Sequence, residues 1–277
     1  MKDQYSILKV RILIYLMNNE PEYCTVTRIG QTLGVVKQRV SKIIIEFEKE
    51  GYLTRQDRII HLTPEGRSKA YSYAEKVRIS LNHLLYEGVS LQKAEEDAYN
   101  WAINNSDATM EVIRKSERLL HAKYEVRNCI SFNGDAICQN LDDGEHKLHY
   151  VFHRCINEGG SNLSMANDGF VNPGKLFIEN GVGTVCLELT ELKAKSALTH
   201  KVMTGRAQEI SYFYDDKYIP VKWENGETIS FPAKAINFVS IGEGINQILH
   251  GSLFFKIKSN VDTVHMPESE VMFTVII

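Results

Sequence analysis

The chain has 277 residues, enough for about two domains with full cores. Apolar residues make up 43% of it and charged residues 24%, as in an ordinary globular protein, and no run of 18 apolar residues offers a membrane span. The net charge of −3 is unevenly spread: residues 1–69 hold 12 Lys+Arg against 8 Asp+Glu, whereas residues 124–277 hold 13 against 19. A module that touches phosphates needs its positive excess at the contact, which points to the amino-terminal part and away from the carboxy-terminal half. Cys24, Cys129, Cys138, Cys155 and Cys186 are odd in number and form no CxxC pair, so they read as reduced, mostly structural thiols.

A first helix is expected over residues 3–18, with Tyr5, Leu8, Ile12, Tyr15 and Leu16 at helical spacing. The charged, amphipathic opening segment reads as this helix and not as a signal peptide, so the expected compartment is the cytoplasm. Residues 25–66, TVTRIGQTLGVVKQRVSKIIIEFEKEGYLTRQDRIIHLTPEG, then read as a winged helix-turn-helix. Val26, Ile29 and Leu33 make the apolar stripe of a short helix, Gly34 the tight turn, and Val35 the bridging contact. The second helix puts Val40, Ile44 and Phe47 on one face and Lys37, Gln38, Arg39, Ser41 and Lys42 on the rest, and Gly51 stops it. Arg, Lys, Gln and Ser near such a helix's start are the residue types that reach base edges in a major groove.

Tyr52-Leu53 and Ile59-Ile60-His61-Leu62 flank a charged turn and make a hairpin, the wing. Arg55 and Arg58 are expected at its tip, against phosphates or in the minor groove. Thr63 as N-cap and Pro64 at the first position begin a long helix that runs to about Tyr86. Ser90 caps another, SLQKAEEDAYNWAINN, and Ser106-Asp107 a third, SDATMEVIRKSERLLHAKY. These appended helices bury little by themselves and are expected to pack across a two-fold axis, which presents two recognition helices to half-sites about one helical turn apart.

From about Val126 the period changes to some ten short β-branched and aromatic runs separated by turn compositions such as NEGG, NPG, ENG, DDK and GEG. The expected architecture is α+β and multidomain. Residues 1–66 form a winged helix-turn-helix, 67–123 a helical dimerisation region, and 124–277 a β-rich effector or interaction domain built as a sandwich or barrel.

Residues 5–120 resemble the diphtheria-toxin-repressor-like, iron- or manganese-dependent transcription regulators: a helix, the winged motif, LTPEG, a long helix, then AYNWAINNSDATMEVIRK. Multiple-antibiotic-resistance-type regulators share the winged part. The resemblance implies a homodimeric, DNA-binding regulator. It also implies metal ligands where this chain has Tyr99, Ala102 and Ile103, and a histidine where it has Arg78. Alanine, isoleucine and arginine do not ligate a divalent metal and a lone tyrosine ligates Fe²⁺ or Mn²⁺ poorly, so the expectation is that no metal cofactor switches this protein. A relocated site would have to recruit side chains such as His83, Glu87 or Glu95.

HKLHYVFHRC is a second candidate. As one strand it places His149, His153 and Cys155 on a common face, where they could contribute to a zinc or redox site, or be the polar side of a half-buried strand. There is no GxSxG or HExxH signature, and Gly242-Glu243-Gly244 lacks the Lys-Ser/Thr of a phosphate loop, so no enzyme is expected. Tyr212, Phe213, Tyr214, Trp223, Phe231, Phe238, Phe254 and Phe255 read as core before ligand cage. The expected partners are double-stranded DNA, a second copy of the chain and a small-molecule or protein effector at the β-domain, with no membrane. The competing reading is an interaction module whose winged helix is a scaffold and whose β-domain is the binding surface.

Overall fold

The computed structural model describes residues 2–155, 161–195, 202–243, 246–261, 264–265 and 268–277. The expected NEGG turn and Gly244 of the GEG turn lie outside the described residues. The chain divides into two compact units, Met1–Glu117 and Arg118–Ile277.

The first unit contains α1 (Lys2–Asn18), α2 (Val26–Leu33), α3 (Lys37–Lys49), the wing strands β1 (Leu53–Gln56) and β2 (Ile59–Leu62), then α4 (Pro64–Tyr86) and α5 (Leu91–Asn104). The helix α6 (Asp107–Glu125) begins in it and crosses into the second. Local chemistry sets the helix ends. The Thr25 hydroxyl accepts from the Arg28 amide at 3.3 Å, and Gly34 ends α2 in the left-handed region at φ 66°. The Thr63 hydroxyl accepts from the Gly66 amide at 3.0 Å and donates to the Gly51 carbonyl at 2.8 Å, tying the start of α4 to the end of α3. Ser106 caps α6 through the Thr109 amide at 3.2 Å.

The apolar stripes converge on one core of Leu8, Ile12, Leu13, Leu16, Ile29, Val40, Ile43, Ile44, Phe47, Leu53 and Ile60. Fully burying one such side chain contributes about 1.5–3 kcal/mol. Tyr5 and Tyr15 of the expected α1 stripe pack at the edge of this core and not inside it. The wing is held from two sides: the Ile60 amide donates to the Cys24 carbonyl at 2.8 Å, and the Thr63 amide to the Tyr52 carbonyl at 3.0 Å. Gly66 lies directly against that Tyr52 carbonyl, with no room for a Cβ.

The second unit is all-β apart from the end of α6 and short helical turns. Its strands are β3 (Ser131–Asn133), β4 (Gly144–Leu148), β5 (Tyr150–Arg154), β6 (Gly174–Glu179), β7 (Val182–Glu188), β8 (Leu192–Lys195) and β9 (Val202–Tyr214). They continue with β10 (Lys217–Pro220), β11 (Lys222–Glu224), β12 (Thr228–Pro232), β13 (Asn237–Ile241), β14 (Ile248–Val261), β15 (Val264–His265) and β16 (Ser269–Ile276). One sheet has the order β11-β12-β7-β6-β4. The larger has the path β10-β9-β14-β13-β3, with β16 and β15 also on β14, β5 on β16 and β8 on β9. All the pairings are antiparallel.

Of the two architectures expected for this half, the structure is the sandwich. Phe231 of the smaller sheet lies 5.1 Å from Phe255 and 5.7 Å from Phe273 of the larger, ring centre to ring centre. Ala122 and Val126, at and just past the end of α6, belong to the same core. The aromatic runs divide by strand alternation: Tyr212, Phe231, Phe238 and Phe255 are buried, whereas Phe213, Trp223 and Phe254 are exposed.

Two expected strands differ. VRNCISFN is a strand only over Ser131–Asn133, because α6 runs on to Glu125 and a turn follows it. HKLHYVFHRC breaks at His149: Gly144–Leu148 pairs with β6 in one sheet and Tyr150–Arg154 with β16 in the other. A single alternating face over His149, His153 and Cys155 therefore does not form.

Candidate nucleic-acid interface

The α3 helix carries two opposed faces. Val40, Ile43 and Ile44 are completely buried and Phe47 nearly so, which fixes the helix about its axis. The opposite side then faces outward, and Lys37, Gln38, Ser41, Lys42, Ile45, Glu46 and Lys49 line a shallow groove along it with Val26 of α2. Arg39 is exposed on the flank of α3 that faces Arg11 of α1 and Tyr99 of α5 across a second, larger groove.

A polar cluster holds α3 against α1. The Tyr5 hydroxyl donates to Glu46 at 2.7 Å, and Lys9 bridges Glu46 at 3.1 Å and Glu50 at 3.2 Å. The hydrogen bonds from Tyr5 and Lys9 hold the Glu46 carboxyl below the usual glutamate range. Partial burial opposes the charge on Lys9, but its bonds to Glu46 and Glu50 prevail and raise its pKa. The Lys42 ammonium lies 5.7 Å from the Tyr5 ring centre. These contacts use Glu46, the one acid lining the groove, and leave its cations facing outward.

The wing turn is Asp57-Arg58, with Asp57 at φ 55°, a conformation aspartate tolerates better than most residues. Arg58 stands exposed at this turn. Arg55 is exposed too but is not at the turn: it lies within β1, paired with Ile60, and its guanidinium reaches Glu48 of α3 at 3.2 Å and 3.4 Å. Arg55 thus clamps the wing to α3. Arg58→Ala is expected to lower the slope of log affinity against log salt by about one, as removal of one phosphate-bound cation does. Arg55→Ala, whose charge is already met by Glu48, should change that slope by less than half as much. Titrations at several salt concentrations check this, and equal slopes for the two variants would overturn the distinction between Arg55 and Arg58.

Sequence reading did not find Ile45, Lys49 or the Glu48–Arg55 clamp. Lys42, Ile45 and Lys49 stand at i, i+3 and i+7, so a helical projection carried past Lys42 exposes the first two. The clamp joins α3 to a strand and has no local signature.

The positions where the resemblance implies metal ligands hold no ligand set. Arg78 is bonded twice to Glu75, at 3.2 Å and 3.1 Å, and Ala102 is buried in the helical packing. Burial raises the pKa of Tyr99, which disfavours the phenolate a metal would need. His83 lies 5.8 Å from the Trp101 ring. Among the described residues no three His, Cys, Asp or Glu side chains come together as a metal site, around His83, Glu87 and Glu95 or around His149, His153 and Cys155. His153 pairs with Met272 in the larger sheet, and His149 and Cys155 are exposed. Among the described residues no helix is long and apolar enough to cross a membrane.

Residues 4–58 match the MarR family. That stretch ends at the wing turn, so the match covers the first three helices and half of the hairpin. The match falls on the winged part of the chain, the part that the expected resemblance shares with multiple-antibiotic-resistance-type regulators. No curated protein matches the chain. Among solved structures, the chain is similar to T. acidophilum IdeR, with 16% identity over 78% of this chain and 91% of that one and a TM-score of 0.33. It is similar to the manganese regulator SloR, with 13% identity over 83% of this chain and 98% of that one and a TM-score of 0.34. The NEAT5 domain of IsdX2, a B. anthracis hemophore in complex with heme, shares 15% identity over 48% of this chain and 96% of that one, with a TM-score of 0.32.

Proposed function

We propose that the protein is a homodimeric, sequence-specific DNA-binding transcription regulator of the cytoplasm, in which α3 reads operator DNA. The observation that carries this reading is the outward face of α3, where Lys37, Gln38, Ser41, Lys42 and Lys49 lie in one groove opposite a fully buried face. Polar and cationic side chains grouped on a helix beside a wing suit a major groove bordered by phosphates. Lys37, Gln38 and Ser41 are assigned to base edges, and Arg39, Lys42 and Arg58 to phosphates. The helices beyond residue 66 supply the dimer contact, with Tyr71, Leu91 and Val112 exposed on α4, α5 and α6.

The test begins with selection of binding sites from randomised duplexes by the 277-residue chain. Lys37→Ala, Gln38→Ala or Ser41→Ala should then reduce discrimination between the selected site and random DNA, by about 1–3 kcal/mol where the side chain bonds a base edge through two hydrogen bonds. Wild-type discrimination retained in all three variants would overturn the assignment.

We further infer that no divalent transition metal activates this DNA binding. The reading is supported by Arg78, Tyr99, Ala102 and Ile103 in the positions where the resembled regulators place ligands. Chelated protein titrated with Mn²⁺, Fe²⁺ or Zn²⁺ is expected to keep its affinity. A tenfold tightening with any one metal corresponds to about 1.4 kcal/mol of coupling and would sink this reading.

The β-unit is proposed as the effector- or partner-binding half. Its acidic balance, 13 Lys+Arg against 19 Asp+Glu in residues 124–277, disfavours contact with DNA. The outward face of its larger sheet presents aromatic and sulfur side chains in register: Tyr218 pairs with Phe213, and Phe254 with Met272. The second reading, a protein-interaction module with the winged helix as scaffold, rests on that same row, in which Phe213 and Phe254 are exposed and Tyr218 and Met272 half-buried.

A further inference from the structure

Of the residues that α3 itself contributes to the groove, one is unlike the others. Ile45 is 44% exposed, whereas Ile43 and Ile44 beside it are completely buried. It stands in the middle of the outward face, seven residues past Gln38 and four before Lys49, and lines the groove with Lys37, Gln38, Ser41 and Lys42. A single exposed isoleucine on a protein surface is ordinary. Here, however, its neighbours along the outward face of α3 are hydrogen-bonding or charged, and the only other apolar member of the groove is half-buried Val26 of α2. A β-branched residue also forms helix less readily than the lysine or glutamate that solvent exposure alone would favour. The side chain adds nothing to the core and works against solubility, so its place calls for an apolar contact made from that face.

On the major-groove edge of DNA the apolar group is the C5-methyl of thymine. Seven residues of helix advance about 10 Å, so Ile45 and Gln38 lie within the span of a few base pairs for a helix lying in the groove. We propose that Ile45 packs on a thymine C5-methyl and is a specificity-determining residue of the operator contact. The proposal rests on the DNA-reading role of α3 given above. It adds that the recognised site contains a thymine read through its methyl group and not through its hydrogen-bonding edge.

The test uses the whole 277-residue chain and the duplex it selects from a randomised pool. Each thymine is replaced in turn by deoxyuridine, which removes the methyl and keeps the base-pairing edge. One position per half-site should lose affinity about fourfold, the worth of one buried methyl-sized group. Ile45→Ala should bind the thymine and deoxyuridine duplexes equally, and Ile45→Val should keep most of the difference. Val36→Ala serves as the control, because Val36 is 65% exposed at the N-cap of the same helix and lies outside the groove lining. It should keep the methyl effect in full.

Unchanged thermal unfolding of the Ile45 variants shows that the fold is intact, as exposure of the side chain predicts. A selected site with no methyl-sensitive thymine overturns the proposal and leaves the DNA-reading role standing. So does a methyl effect that survives Ile45→Ala or vanishes in Val36→Ala. Failure to select any site removes the DNA-reading role, and this contact with it.

Discussion

Gly66→Ala is expected to destabilise the amino-terminal unit by about 3 kcal/mol, at the upper end of what inserting one methyl into a packed site costs. Helix propensity alone predicts the opposite sign, a gain of about 1 kcal/mol for replacing glycine by alanine inside a helix. Sterics decide the outcome. A Cβ at Gly66 overlaps the Tyr52 carbonyl oxygen, and that oxygen is fixed because it accepts the Thr63 amide at 3.0 Å. Backbone on both sides must move, and the movement separates β1 from α4 and strains the Thr63–Gly51 bond. Urea unfolding followed through Trp101 measures the loss. Ser68→Ala, two residues on and exposed, should stay within about 0.5 kcal/mol of the parent. A Gly66→Ala protein as stable as the parent would mean that the wing is not seated on α4 as described.

Phe273→Ala is expected to cost the β-unit about 3–5 kcal/mol, the usual range for emptying a buried phenylalanine site. Phe273 is completely buried, with ring centres at 5.0 Å to Tyr150, 5.4 Å to Phe152, 5.7 Å to Phe231 and 5.8 Å to Phe255. Four rigid rings close around it from two sheets, and they cannot collapse into the vacancy without breaking strand register. A fall of roughly 10 °C in the β-unit's midpoint follows for a unit of this size. The two tryptophans separate the halves, since Trp101 lies in the first unit and Trp223 in the second. In a Trp101→Phe background the transition seen by Trp223 should move. In a Trp223→Phe background the transition seen by Trp101 should not. A common shift of both would show one cooperative unit in place of two cores.

The helical half was legible because each element carries its own instructions. Thr25, Gly34, Thr63-Pro64 and Ser106-Asp107 mark helix ends within the same few residues that form them, and the spacing of Leu8, Ile12 and Leu16 names the buried side. The β-half gave up its strands but not their partners. β3 meets β13 and β5 meets β16 across more than a hundred residues, and no local pattern encodes such a pairing. The break at His149 was hidden for a related reason: both flanking runs alternate, and only tertiary pairing assigns them to different sheets. At the candidate site the cationic residues of α3 were readable from composition and spacing. Ile45 was masked by its place in an apolar triplet, and Arg55 by looking like a loop cation when its partner lies on another element.

The tight seat of Gly66 also makes α4 a lever. Its 23 residues extend about 35 Å, and the end that holds Gly66 cannot slide over the wing strand. A tilt of about 10° at that fulcrum sweeps the Tyr86 end through about 5 Å, so the gearing runs both ways. A large excursion at the far end arrives at Tyr52 as a small rotation, and a small displacement of the wing is magnified on its way out. Whatever grips the last turns of α4 therefore works on the angle of the hairpin with mechanical advantage.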